Sequence, residues 1–308
     1  MDNNNNMKTA FAAIVGRPNV GKSSILNALL GQKIAAVSPK PQTTRTRIMG
    51  VLTEGDTQLV FTDTPGLHKP KTRLGNYMVK AVDDSVSGVD FSALVVEAGE
   101  KEEKREPFPA EIQLIEQFKS MRQPAILVIN KIDRLSRKEL VAVQIANYSA
   151  LFDFAGVVPV SAAKGIGMDL LKSELISMAQ PGPWFFPDDI LTDQPERVIT
   201  SELIREAALR LLSDEIPHGI AVDIEIIRER KNRHDLMDIR ATIYCERESH
   251  KGIIIGKGGS MLKRIGASAR GEIERFLGIQ VNLELWVKVR EDWRNSQGAL
   301  RMFGFRES

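Results

Sequence analysis

Gly16-Arg17-Pro18-Asn19-Val20-Gly21-Lys22-Ser23 sets two glycines four residues apart and follows them with Lys and Ser, the spacing of a loop that cradles phosphate. The run before it, Ala10 to Val15, is continuously apolar, as in a strand covered on both faces of a parallel sheet. Ser24 to Leu30 after it has helical spacing. Strand, glycine loop and helix together aim backbone N–H groups and a helix N-terminus at an anion. In that setting Lys22 reaches the β- and γ-phosphates and Ser23 ligates Mg²⁺. An ordinary glycine turn would need the buried strand and the Gly-Lys-Ser helix start by coincidence.

Outward from this loop, the 308 residues allow about two domains, and 43% apolar content suffices for folded cores. The single cysteine, Cys245, rules out an internal disulfide framework and lies in an apolar strand. No apolar run approaches the length of a membrane span, and residues 1–8 are polar and asparagine-rich. The chain is therefore expected in the cytoplasm. Residues 200–308 hold 19 Lys/Arg against 17 Asp/Glu, for a net charge of only +2 overall, so global charge names no partner.

Residues 33–47 read as a Ser/Pro/Thr-rich loop carrying Gln42-Thr43-Thr44-Arg45. Strands at Ile48–Leu52 and Gln58–Thr62, joined by Glu54-Gly55-Asp56, form a hairpin. The second runs into Asp63-Thr64-Pro65-Gly66. An acidic residue at such a strand end, beside a phosphate loop, is where a carboxylate that organises Mg²⁺ belongs. Gly66, lacking a side chain, can bring its N–H to a γ-phosphate. A further strand, Ala125 to Ile129, ends in Asn130-Lys131-Ile132-Asp133. The Asp133 carboxylate can accept hydrogen bonds from guanine N1–H and the exocyclic amine, a donor pair adenine does not present. Val157 to Val160 leads to Ser161-Ala162-Ala163-Lys164-Gly165, whose N–H groups are placed to meet the guanine carbonyl. All these sites fall at C-terminal strand ends, where open α/β sheets bind ligands.

GRPNVGKS, QTTR, DTPG, NKID and SAAKG, in this order and spacing, resemble a translation-associated GTPase, and GRPNVGKS, QTTRTR, DTPGLHKPK and the C-terminal elements below are similar to the Era family of ribosome-assembly GTPases. The resemblance covers essentially the whole chain. It implies that Thr44, rather than Thr43, is the switch threonine that ligates Mg²⁺ in the GTP state, and that Lys22, Thr44, Asp63 and Gly66 carry catalysis. It implies two mobile switches, roughly 32–47 and 67–77. The expected GTP contacts are residues 16–24 (Gly16, Arg17, Pro18, Asn19, Val20, Gly21, Lys22, Ser23, Ser24), residues 63–67 (Asp63, Thr64, Pro65, Gly66, Leu67), Asn130 to Asp133, and Ser161, Ala162 and Ala163. Leu67 stands where GTPases of the Ras type carry a water-orienting Gln, so slow intrinsic hydrolysis is expected. Asn19 matches an asparagine that helps hold K⁺ in related GTPases; the competing assignment is a turn asparagine. The charged segment 99–109 reads as a solvated loop.

Residues 181–189, rich in Pro and aromatics, cannot continue a helix and form a linker. Beyond it come a helical stripe over Glu202–Leu212, alternating strands at 220–227 and 239–245, a glycine turn, a helix over 261–276 and a last strand at 281–289. Ile255-Gly256-Lys257-Gly258-Gly259 matches the loop with which KH domains clamp nucleic-acid backbone. No acidic residue occurs from Ser249 to Gly271, while Lys251, Lys257, Lys263, Arg264 and Arg270 supply five positive charges. The arrangement resembles a type II KH domain. The expected organisation is a flexible N-terminus (1–8), an α/β P-loop GTPase domain with a mostly parallel sheet and helices on both faces (9–180), a linker (181–199), a small α+β KH domain (200–290) and a tail (291–308).

The resemblance implies a monomeric GTP- and Mg²⁺-dependent switch, with K⁺ as a further cofactor, that binds small-subunit ribosomal RNA and assists assembly of the small ribosomal subunit. The alternative is a signalling GTPase whose basic helix meets protein or lipid, peripheral on the inner face of the cell membrane. The glycine turn favours RNA, since a lipid-binding helix has no need of it. Phosphoryl transfer to a metabolite is disfavoured, because nothing resembles an acceptor pocket.

Overall fold

The computed structural model describes residues 6–38, 40, 43, 48–63, 72–74, 86, 88–100, 106–213 and 216–305. β1 (Lys8–Val15) is fully buried from Ala12 to Val15. That burial follows from its place between two parallel neighbours, β3 (Thr57–Asp63) and β4 (Phe91–Glu97). Continuing outward, β5 (Ala125–Asn130) and β6 (Gly156–Pro159) pair in parallel, while β2 (Ile48–Glu54) closes the opposite edge antiparallel to β3. The order β2-β3-β1-β4-β5-β6 brings the C-terminal ends of the parallel strands to one edge. Strand ends in this sheet differ from the apolar runs by up to two residues, because backbone pairing rather than apolar pattern sets them, and β6 stops at Pro159, one residue short of Val160.

Among the described residues this unit carries α1 (Lys22–Leu30), α2 (Pro109–Met121), α3 (Leu140–Ser149) and α4 (Met168–Ser177). Leu114, Ile115 and Phe118 of α2 and Tyr148 of α3 pack with Leu94, Val96, Leu127 and Ile129 in one buried cluster. The linker is strapped onto the same unit. Strand β7 (Gln180–Pro181) pairs antiparallel with β1, and the buried Gln58 amide bonds Phe185 N at 2.9 Å, Phe186 N at 3.0 Å and Phe186 O at 2.9 Å. Leu191 O accepts from Val51 N at 2.8 Å.

A second compact unit gathers the described residues of 33–43 and 70–77 and the chain from Gln194 onward. Its helix α5 (Glu196–Leu211) takes in residues 196–199, which the sequence assigns to the linker. Pro195 at ψ 141° ends the extended chain there and the apolar stripe reaches back to Ile199. Segment 33–43 clusters here although the sequence assigns it to the first domain: Lys33 Nζ and Val37 N donate to the buried Glu206 carboxylate at 2.7 and 3.0 Å. β8 (Ala221–Arg230) and β9 (Arg233–Cys245) form a hairpin, and β10 (Gln280–Val289) pairs in parallel with β9. Helices α6 (Glu248–Ile255) and α7 (Ser260–Leu277) lie between β9 and β10 in the chain. Cys245 is free and buried, with burial pushing its thiol pKa up. Residues 291–305 are folded: Trp293 is fully buried, donates to Gly219 O at 2.8 Å and packs with Phe303 and Phe305 beside α8 (Gln297–Met302).

Candidate nucleotide site and nucleic-acid interface

In the first unit the loop from Gly16 to Gly21 joins β1 to α1, and Lys22 and Ser23 are the first two helical residues. The buried Lys22 ammonium folds back onto its own loop, donating to Gly16 O at 3.1 Å and Arg17 O at 3.0 Å. Gly21 must be glycine: at φ +102° an added Cβ would stand 2.2 Å from Asn130 Nδ2. That closeness marks where two motifs meet. Asn130 donates to Val20 O at 2.8 Å and accepts from Ala162 N at 3.1 Å, so one side chain ties the phosphate loop to the loop after β6. Lys131 reaches Asn19 O at 2.6 Å and pairs with Glu97 at 3.1 Å. Asp133 accepts from Ser161 Oγ at 2.5 Å, which holds its carboxylate beside the Ser161-Ala162-Ala163 turn. Ile132 opens a 3-10 turn that carries Asp133.

Three of the five motifs, the phosphate loop, Asn130–Asp133 and Ser161–Gly165, are therefore assembled by direct contacts. Asp63 ends β3 in register with Ile14, next to the start of the phosphate loop. Its side chain, together with Thr44, Thr64, Pro65, Gly66 and Leu67, lies outside the described residues. Ser24 sits in the first turn of α1, and Asn19 takes a left-handed φ of +65°. Sequence reasoning missed a second layer. The Arg17 side chain leaves the loop for Glu111 and Phe108 on and before α2, and Gln144 of α3 bonds Gly99 N and Glu97 O at 3.0 Å each. The signal for Glu111 was Pro109 at the first helical position followed by Glu two residues on, the start of a capped helix.

In the second unit, α6 and α7 are joined by Gly256 to Gly259, with φ +71° at Gly256, +59° at Gly258 and +81° at Gly259. At Gly256 a Cβ would lie 2.8 Å from Met261 N and Cβ, so the turn into α7 closes only on glycine. Lys257, Lys263, Arg264 and Arg270 are exposed and Lys251 is half-buried. Beside the turn runs a groove of about 540 Å³ between α7 and β10. Lys263 and Arg270 line it with Gly259, Gly266, Asn282 and Leu285; Lys251, Ile255, Lys257, Gly258 and Arg264 do not. The β10 side of the groove was missed, since a strand's edge residues announce no ligand in sequence. The α7 side was readable: Gly259, Leu262, Lys263, Gly266, Ala267 and Arg270 recur at helical spacing on one face.

The comparisons agree with this geometry. A family model described as a 50S ribosome-binding GTPase matches residues 11–131, and a KH-domain model matches residues 215–294. The GTPase Era of Ruminiclostridium cellulolyticum is 49% identical over 97% of this chain and 98% of its own length. This chain belongs to the Era family of GTPases. The Era of Clostridioides difficile is likewise 49% identical, over 97% of this chain and 99% of its own. Two solved Era structures, each 38% identical, superpose with a TM-score of 0.91 over 98% of this chain and all of theirs. One is a complex with MgGDPNP and nucleotides 1506–1542 of 16S ribosomal RNA; the other is an Aquifex aeolicus variant bound to GDP·AlF4⁻. The Era fold accounts for both halves: a P-loop GTPase domain with a mostly parallel sheet, then a KH domain. No helix among the described residues is long and apolar enough to cross a membrane.

Proposed function

We propose that this Era-family GTPase is a cytoplasmic, monomeric switch that hydrolyses GTP with Mg²⁺, binds small-subunit ribosomal RNA through its KH domain and assists assembly of the small ribosomal subunit. The observation that carries the reading is one chain holding both a cross-tied phosphate and base loop and a glycine turn flanked by a basic groove. The Era relative complexed with MgGDPNP and 16S ribosomal RNA supports it.

In this reading the N–H groups of the loop and the start of α1 receive the phosphates, and the Lys22 ammonium exchanges the Gly16 and Arg17 carbonyls for phosphate oxygens. Asp133, presented by Ser161, accepts from guanine, and the Ala163 amide meets the guanine carbonyl while Asn130 holds the Ala162 amide. The donor set fits Mg²⁺, a hard cation that takes oxygen ligands: the Ser23 hydroxyl follows Lys22 at the mouth of the loop, Thr44 would add a second hydroxyl and Asp63 a carboxylate, and nucleotide phosphates and water would fill the other positions. When bound, Mg²⁺ neutralises charge that builds on the transferring phosphoryl group. Leu67 cannot orient the attacking water by hydrogen bonding, so intrinsic hydrolysis is slow unless charge is supplied; Asn19 would help hold a K⁺ ion, which would supply positive charge near the β- and γ-phosphates. Hydrolysis is then faster in K⁺ than in Na⁺ at equal ionic strength.

The groove and turn receive RNA backbone and bases, with Lys257, Lys263 and Arg270 as phosphate partners. Lys257→Asp combined with Gly258→Asp places two carboxylates where phosphates lie. Affinity for an RNA of the same 16S segment should drop at least about tenfold, with a shallower salt dependence, while GDP affinity holds. Unchanged RNA affinity and salt slope would remove the KH domain from the reading.

A further inference from the structure

The Glu111 carboxylate is fully buried on α2 and both of its oxygens are engaged. Oε1 accepts from Arg17 Nε at 2.7 Å, and Oε2 accepts from Tyr148 OH at 2.6 Å and Phe108 N at 2.9 Å. The Arg17 guanidinium lies 3.6 Å from the Phe108 ring centroid, within cation–π range. Burial, and then the Glu111 charge, push the Tyr148 phenol far above its ordinary pKa, so Tyr148 stays a donor. Arg17 is the second residue of the phosphate loop, and its carbonyl is one of the two that hold Lys22 Nζ.

We infer that Glu111 is a positioning residue for nucleotide binding, acting through Arg17 on the shape of the phosphate loop, whose backbone N–H groups receive the phosphates. Capping α2 requires only the bond from Phe108 N to Oε2. The other oxygen is directed at Arg17, whose side chain is only 27% exposed. Planar guanidinium against carboxylate on one edge and aromatic ring on one face leaves Arg17 little rotational freedom. Pro18 independently restricts the Arg17 backbone. Side chain and backbone are thereby fixed from two directions, and the loop's N–H groups are held in the shape that receives phosphate. The bland alternative, a buried carboxylate satisfied for the sake of the α2–α3 contact, leaves the Arg17 contact without consequence for ligand.

The inference rests on the phosphate-loop reading, and the test separates the two. In the full chain, GDP and GTP dissociation constants, KM and kcat are measured for Glu111→Gln, Arg17→Met and the combined variant. Tyr148→Phe serves as a control that removes a bond to the same carboxylate on the side away from the loop. Each single variant should bind both nucleotides about tenfold more weakly, with the loss in KM and kcat within about twofold. The combined variant should bind no more weakly than either single. Tyr148→Phe should lower the thermal midpoint yet keep nucleotide affinity. Wild-type affinity in folded Glu111→Gln or Arg17→Met overturns the inference, as does a combined loss equal to the product of the two. Should Glu111→Gln not fold, the half-buried Arg17→Met decides alone. Failure of the wild type to bind either nucleotide would overturn the phosphate-loop reading itself.

Discussion

The loop at residues 16–21 and the turn at 256–259 are two versions of one device, glycines that let phosphate approach a helix N-terminus, placed in opposite surroundings. The first is tied on several sides: Asn130 holds Val20, Lys131 holds Asn19, Glu111 holds Arg17, and Lys22 fills its mouth. The second carries exposed Lys257 and Gly258 and opens beside a groove. A loop braced from outside fits one small ligand of fixed shape. A loop left open can follow a polymer, and takes its selectivity from the groove beside it.

The comparison is broken most sharply at Lys22. Its ammonium stands at the head of the braced loop, so Lys22→Ala should weaken GDP and GTP binding about a thousandfold, the loss of two or more charge-assisted hydrogen bonds. Fluorescent-nucleotide titration reads this, and near-normal affinity would mean that backbone alone suffices in both loops. Next in size is base choice. Asp133→Asn replaces an acceptor with a donor against guanine and should swing the preference between GTP and XTP about a hundredfold toward xanthine; a variant that still prefers GTP refutes the Ser161–Asp133 assignment.

The open turn should respond more mildly. Gly256→Ala pushes a Cβ to 2.8 Å from Met261 and strains a positive φ, so RNA affinity should fall about tenfold while GDP affinity stays put. If filter binding shows no loss, the turn is a connector and the groove alone is the interface. The smallest effect lies in the sheet beneath that groove. Hydrogen bonds from Arg230, and then from Asn282, hold the Asp238 carboxyl down at about 2. A carboxyl whose folded pKa is depressed adds stability that is complete above its unfolded value of about 4 and vanishes as pH falls through about 2. Asp238→Asn should thus lower the thermal midpoint at pH 7, with the gap to wild type closing between pH 4 and pH 2.

The first unit was largely legible because its signals are residue types in a fixed order at strand ends. Ala10–Val15, Ile126–Ile129 and the motifs that follow them are dictated by a buried parallel sheet, and the structure adds only strand ends. Contacts between residues far apart in the chain were not legible. Glu111 is one carboxylate among many in sequence, and only burial reveals its bond to Arg17 ninety-four residues away. Lys33 and Val37 read as loop, yet meet a buried Glu206 on α5. In the KH domain the glycines and charges were visible, while Asn282 and Leu285 became part of the groove only once β10 was placed beside α7.

The tail beyond β10 gives the protein an optical consequence. Trp293 is shut away from water against Phe303 and Phe305, whereas Trp286, seven residues earlier on β10, is 59% exposed. Their emissions differ in colour, the buried indole to the blue and the wetted one to the red. Light from the same short stretch therefore reports two events without any dye: undocking of the tail reddens Trp293, while a molecule settling on the sheet face blue-shifts or quenches Trp286.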